Sequence, residues 1–202
     1  MSESSATLSL TQSEILCAIE QVTDNPHATP HLKGLVDSAV LVILHQHESD
    51  WQVLFTKRSE MLNAHAGQIS FPGGRKDTTD ADFQETAIRE TTEEIGIARD
   101  YLNIHAELTP VCTLTGYRIY PYVCFLDELP TLQAELGEVE EIFSVPLDYL
   151  CQQQNLQQIS KHYKGRDFIT FQLLWEKHNI WGATAHMLAD LSYRIRKYHL
   201  DD

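Results

Sequence analysis

Basic charge is scarce in this chain. Lys and Arg number 15 against 29 Asp and Glu, a formal net charge of −14 at pH 7. Sequence-independent nucleic-acid binding needs Lys and Arg to neutralise phosphates, so the balance argues against it. A small anionic substrate remains open, provided that metal ions offset the local charge. Paired cysteines are lacking as well. Cys17, Cys112, Cys124 and Cys151 are scattered, with no CxxC and no zinc spacing, and they read as buried reduced thiols. No apolar run approaches the ~20 residues that a membrane helix requires. The segment "MSESSATLSLTQSE" has neither a basic n-region nor an apolar h-region, so no signal peptide is expected. Internal repeats and low-complexity tracts are missing too. The expectation is a reducing, cytoplasmic setting without membrane or nucleic-acid partners; the oligomeric state stays open, a homodimer included.

What is present is enough for one sizeable domain: 202 residues, 43% hydrophobic and 22% charged. Leu10 to Val22 carries Ile15, Leu16, Ile19 and Val22 at helical spacing, with Ser13 as the N-cap candidate. The turn-rich "DNPHATPHLKG" follows, so residues 1–34 read as an extension with a helix and linker, and residues 35–202 as the main domain. "DSAVLVILHQHESDWQVLFTKRS" reads as two strands joined at "HQHESD", which places His45 and His47 at a solvated turn. A helix is expected from Asp80 to Ile95, with acidic residues at its start and Gly96 as its stop. Further strands are expected in Glu107 to Glu128, turning at Gly116, and in Glu138 to Leu150. "CQQQNLQQ" reads as a polar connector, and a last amphipathic helix begins near Trp181. Strands mixed with a few long helices predict an α+β chain, an α/β/α sandwich on a mixed sheet with an appended N-terminal helix.

The chemistry is concentrated in "GGRKDTTDADFQETAIRETTEEIGIARD". Glu90, Glu93 and Glu94 are three and four apart, a spacing that groups side chains on one helix face. Ala87, Ile88, Thr91 and Ile95 provide another side for packing. Arg89 lies four before Glu93 and four after Glu85, and can offset part of the repulsion. Alone, the pattern also describes an acidic, solvated face. The approach to it differs from an ordinary surface helix: "SFPGG" brings a proline and two glycines, and Gly73 and Gly74 allow close backbone approach to a ligand. Carboxylates beside such a turn suit a hard divalent cation, which can orient a bridging phosphate and activate a water. No GK[ST] follows, so the turn is not a P-loop.

The same stretch resembles the Nudix box, usually written G-x5-E-x7-R-E-U-x-E-E-x-G-U, with U apolar. Arg89, Glu90, Glu93, Glu94, Gly96 and Ile97 match, while Thr91 stands at an apolar position. The first half is one residue out of register: the glutamate position falls on Ala81 and the glycine on Arg75. One inserted residue restores it, with Asp80, six after Gly74, in the glutamate's place. Upstream, "LFTKRSEMLNAHAGQISFPGG" resembles the additional pattern of the coenzyme A pyrophosphatase branch through Leu54, Thr56, Arg58, Ser59, Gly67, Phe71, Pro72, Gly73 and Gly74. Phe55 replaces a leucine there. Asn63 replaces an arginine, a neutral amide where a phosphate-binding guanidinium is expected. The branch resemblance runs from about Ser38 to Leu191.

This resemblance implies a Nudix-like fold and metal-dependent hydrolysis of a diphosphate with Mg²⁺ or Mn²⁺. It implies Glu90 and Glu94 as metal ligands, Glu93 as a third ligand or near neighbour, and the Gly74 carbonyl completing the sphere. Glu90 serves as base in some relatives, so that role stays open, and Arg89 is expected to orient a carboxylate. Glu138 is the candidate for a ligand outside the box, against an exposed charge before a strand. Lys57, Arg58, His65, Gly67, Gly73 and Arg75 are the candidates for substrate contact. For His65 a loop-fixing hydrogen bond is the competing expectation. Trp181 is expected as a core aromatic rather than an adenine platform, and Tyr117, Tyr120 and Tyr122 as residues alternating across a strand. The branch implies coenzyme A or acyl-coenzyme A as substrate, giving 3′,5′-ADP and 4′-phosphopantetheine or its acyl form. ADP-ribose, NADH and oxidised nucleotides are alternatives, as is a binding module without turnover. The intact glutamate set favours the enzyme.

Overall fold

The computed structural model describes residues 10–30, 32–62, 65–163 and 165–200. Asn63 lies outside them. The chain runs α1 (Gln12–Gln21), β1 (Val36–His47), β2 (Asp50–Arg58), β3 (Ile69–Ser70), β4 (Gly73–Arg75), α2 (Phe83–Ile95) and a 3₁₀ turn (Arg99–Tyr101). It continues with β5 (Ala106–Glu107), β6 (Val111–Cys112), β7 (Tyr117–Leu126), β8 (Val139–Pro146) and α3 (Leu147–Cys151). β9 (Leu156–Tyr163), β10 (Arg166–Trp175), β11 (His178–Trp181) and α4 (Ala183–Leu200) complete it.

β1 is the central strand, and its residues are buried on both faces from Ser38 to His45. It pairs antiparallel with β2 and β4 and parallel with β7, so the eight-stranded sheet is mixed as expected. On one face Val40, Val42 and Leu44 pack with Ile15 and Ile19 of α1 and with Leu188, Leu191 and Ile195 of α4. On the other, Ala39, Leu41 and Ile43 pack with Ala87 and Ile95 of α2. Strand alternation thus sorts one apolar run into two cores, and the layers are α/β/α. No described helix is long and apolar enough to cross a membrane. All four cysteines are free; Cys124 and Cys151 are buried, and Cys17 and Cys112 partly so.

Several boundaries differ from the sequence reading. The α1 cap is Thr11, not Ser13, because Thr11 and Glu14 form a reciprocal capping box. α2 starts at Phe83, since Asp82 takes the cap and leaves Asp80 outside the helix. The strand from Glu138 ends at Pro146, where the chain turns into α3. "CQQQNLQQ" feeds directly into β9, first strand of a separate three-stranded sheet, order β11-β10-β9. His45 is buried, with Nε2 2.8 Å from Ser144 Oγ, instead of solvated at the turn. Trp181 ends β11, only partly buried, with Lys161 Nζ 5.0 Å from its ring centroid.

Gly96 ends α2 as anticipated, at φ 73°, with its N–H donating to the Thr92 carbonyl. Gly96→Ala should lower stability by about 1–2 kcal/mol, because an L side chain is disfavoured in the left-handed region. A denaturant titration that places the variant within error of wild type would refute this account of the helix end.

Candidate active site

α2 crosses the sheet over β1 and β4, and its glutamates are not equivalent. The Glu94 side chain is 5% exposed and that of Glu90 17%, whereas that of Glu93 is 60% exposed. The shared face therefore divides: residues 90 and 94 are about 40° apart around a helix, but 93 and 94 about 100°. Glu90 and Glu94 turn toward the Gly-Gly segment, and Glu93 turns outward.

Each carboxylate is held by a neighbour. Gly73 N–H donates to Glu94 Oε2 at 3.1 Å, and Arg58 Nη1 lies 3.7 Å from Glu94 Oε1. Gly74 lies beneath Glu90: a Cβ at that position would collide with the Glu90 carboxylate, so a bare residue is required there. Gly74 pairs with Ala39 in the β4–β1 ladder.

Arg89 ties the site together. Its Nε and Nη2 donate to Asp80 Oδ1 and Oδ2 at 2.8 and 3.0 Å, a forked pair. Its Nη2 also lies 2.9 Å from Glu90 Oε1, and its Nη1 3.0 Å from Glu93 Oε2. Asp80 is fixed in turn by Thr86 Oγ1 at 2.8 Å and Asp77 N–H at 2.9 Å. The Arg89 guanidinium holds the Asp80 carboxyl well below the usual range. Glu85 pairs with Arg99 rather than Arg89.

Burial has the opposite effect on the glutamates. It pushes Glu94 up to about 7, against the Gly73 N–H and Arg58, with Glu90 and Glu138 adding to the rise. Burial also raises Glu90, against Arg89. Glu138 is exposed in the turn before β8, close enough for its charge to act on both glutamates.

Among the described residues, no three His, Cys, Asp or Glu side chains already converge as a metal cage. The donors nevertheless fit a hard cation. The Glu94 carboxyl is buried and the Glu90 carboxyl half-buried, burial pushes both toward protonation against the partial offset of Arg58 and Arg89, and the available donors are oxygens.

Of the substrate candidates, Lys57 pairs with Glu140 at 2.8 Å. His65 Nδ1 engages Gln68 Oε1 at 2.8 Å, the loop-fixing bond. Gly67 N–H donates to the Arg58 carbonyl at 3.2 Å in the same loop. Arg75 donates from Nη2 to the Tyr117 hydroxyl, while its carbonyl accepts from Arg89 Nη2 at 3.2 Å. Tyr120 stacks on Phe83, 4.0 Å between centroids, and Tyr122 is buried. Sequence reasoning did not assign a role to Tyr117, because its contact with Arg75 depends on β4 and β7 flanking the same strand.

An α/β/α sandwich with a clamped carboxylate helix beside a Gly-Gly turn has the donor chemistry for cation-assisted work on a phosphoanhydride. The chain belongs to the Nudix family: the model of the NUDIX domain matches residues 35–164. A relative from Klebsiella pneumoniae (strain 342), the uncharacterized Nudix hydrolase NudL, is 30% identical over 170 residues, covering 84% of this chain and 88% of its own. The uncharacterized Nudix hydrolase NudL of Salmonella paratyphi B is 32% identical over 143 residues, covering 71% and 74%. Among solved structures, a MutT/nudix family protein from Enterococcus faecalis shares the fold at TM-score 0.51 and 15% identity, covering 96% of this chain and 76% of that one. The protein is a pyrophosphohydrolase of phosphorus-containing anhydrides, in a family that generally uses divalent metal ions.

Proposed function

We propose that the protein hydrolyses the diphosphate bond of coenzyme A or acyl-coenzyme A, giving 3′,5′-ADP and 4′-phosphopantetheine or its acyl form. One observation carries this reading. The segment from Leu54 to Gly74, with its coenzyme A-type pattern, meets the glutamate helix where Arg58 Nη1 and Gly73 N–H both address Glu94.

Glu90 and Glu94 would hold Mg²⁺ or Mn²⁺, with the Gly74 carbonyl and Glu138 completing the donor set and Glu93 as a neighbour. When bound, such a cation polarises the diphosphate and lowers the pKa of a water. The protein's own part is positioning. Arg89, anchored by Asp80, fixes the Glu90 carboxylate, and Arg58 and Gly73 fix Glu94. In the alternative in which Glu90 is the base instead of a ligand, it would accept the proton of the attacking water, with Arg89 holding its carboxylate in place.

The test is a panel of coenzyme A, acyl-coenzyme A, ADP-ribose, NADH and 8-oxo-dGTP incubated with Mg²⁺ or Mn²⁺. Coenzyme A or its acyl form should be cleaved with the highest kcat/KM. Turnover of ADP-ribose or NADH without turnover of coenzyme A would overturn the substrate assignment.

A further inference from the structure

Of the basic candidates for substrate contact, Lys57, Arg58 and Arg75, not all are equally available. Lys57 is committed to Glu140 and Arg58 faces Glu94. Among the described residues Arg75 has no carboxylate within ion-pair distance, although the chain carries a net charge of −14. Its guanidinium is held instead by a tyrosine: Nη2 donates to the Tyr117 hydroxyl, and the guanidinium carbon lies 5.3 Å from the ring centroid.

We propose that Arg75 and Tyr117 form a phosphomonoester recess that reads the 3′-phosphate of the substrate's adenosine end, making Tyr117 a specificity-determining residue. This rests on the coenzyme A reading above. The donor arithmetic supports an anion. A phenol oxygen that accepts from arginine has its own O–H left to donate, and the guanidinium keeps further N–H groups free. Several donors without a paired carboxylate match a phosphate, which offers only acceptors at neutral pH.

The placement supports a phosphate beyond the scissile one. Arg75 follows Gly74 in β4, so strand alternation sends its side chain to the sheet face opposite the glutamates. β4 and β7 both pair with β1 and are therefore two strand spacings apart, about 10 Å. The recess is also fixed to the cleavage site, because the Arg75 carbonyl accepts from the arginine that clamps Glu90. Tyr117 is fixed by the turn before it, where its N–H donates to Thr113 Oγ1 at 2.9 Å and its carbonyl accepts from Thr113 N–H at 2.8 Å. The His65 ring stands edge-on to Tyr117, 6.1 Å between centroids, and flanks the recess.

The test compares kcat/KM for coenzyme A and 3′-dephospho-coenzyme A in wild type, Tyr117→Phe, Arg75→Gln and Arg75→Lys. Wild type should favour coenzyme A. Tyr117→Phe should reduce that preference about tenfold, the size of a hydrogen bond to a charged group. Arg75→Gln should abolish the preference, and Arg75→Lys should restore part of it. Equal kcat/KM for both compounds in wild type, or a preference unchanged in the variants, overturns the recess while leaving coenzyme A hydrolysis intact. If wild type cleaves neither compound, the substrate reading fails, and calorimetry with 3′,5′-ADP and 5′-ADP decides the recess separately. Tighter 3′,5′-ADP binding that is lost in Tyr117→Phe supports it; equal binding of the two nucleotides overturns it.

Discussion

Glu94→Gln should lower kcat roughly a hundredfold or more while leaving the fold at least as stable as wild type. The two effects come from the same burial. Glu94 is 4% exposed overall and sits where Gly73, Arg58 and Glu90 meet, so its carboxylate is the innermost donor of the site. The amide keeps the size and can still accept from Gly73 N–H, but it removes the charge that would bind a cation, a loss on the scale of one preorganised electrostatic group. For stability the sign is opposite to that of a surface acid. An acid whose folded pKa is about 7 instead of 4.5 holds an extra proton in the folded chain between those values. Metal-free wild type should therefore lose stability as pH rises from about 4.5 to 7, by roughly 3 kcal/mol if the shift is fully expressed. Glu94→Gln should flatten that fall. Thermal unfolding in EDTA between pH 5 and 8 checks it; parallel curves for the two proteins would contradict the burial argument.

Asp80→Asn should be the most destabilising conservative change near the site. Asp80 is 6% exposed and receives the Arg89 fork, the Thr86 hydroxyl and the Asp77 N–H, every one a donor. Asparagine presents an NH₂ group to at least one of them. Breaking a largely buried ion pair from one side costs on the order of 3 kcal/mol, or about 10 °C in a domain of this size. The pH dependence runs opposite to that of Glu94. Asp80 has its pKa depressed, so its stabilisation is fully present above pH 4 and is lost as pH falls below the ordinary aspartate value. The variant should lose stability at neutral pH and approach wild type in strong acid. Activity should fall roughly 10–100-fold through the freed Arg89, as for other groups that orient ligands. Melting curves at pH 7 and pH 3 separate this account from a general loss of packing, which would be equal at both.

The site was more legible in the sequence than its surroundings. The spacing of Glu90 and Glu94 placed them together, and Gly96 fixed the helix end, because both follow from 3.6-residue periodicity and backbone handedness. Asp80 could be named from the shifted register alone, and the structure pairs it with Arg89. Glu93 was harder to judge: spacing groups it with its neighbours, but its exposure depends on how α2 lies on β1. The sheet of β9, β10 and β11 escaped detection because "LQQISKHY" is half polar and "QLLWEKHNIW" reads equally as the approach to a helix. His45 and Tyr117 were missed for a shared reason. Their contacts, with Ser144 and Arg75, join strands distant in sequence, and no local pattern carries that information.

The most direct measurement is a Mn²⁺ titration at pH 7.5, followed by the electron paramagnetic resonance signal of the free aquo ion. It compares wild type with a Glu90→Gln, Glu94→Gln double variant shown to be folded. Wild type should deplete the free signal saturably, and the double variant should leave it close to that of buffer alone. Equal depletion by both proteins would place the cation elsewhere and contradict the account.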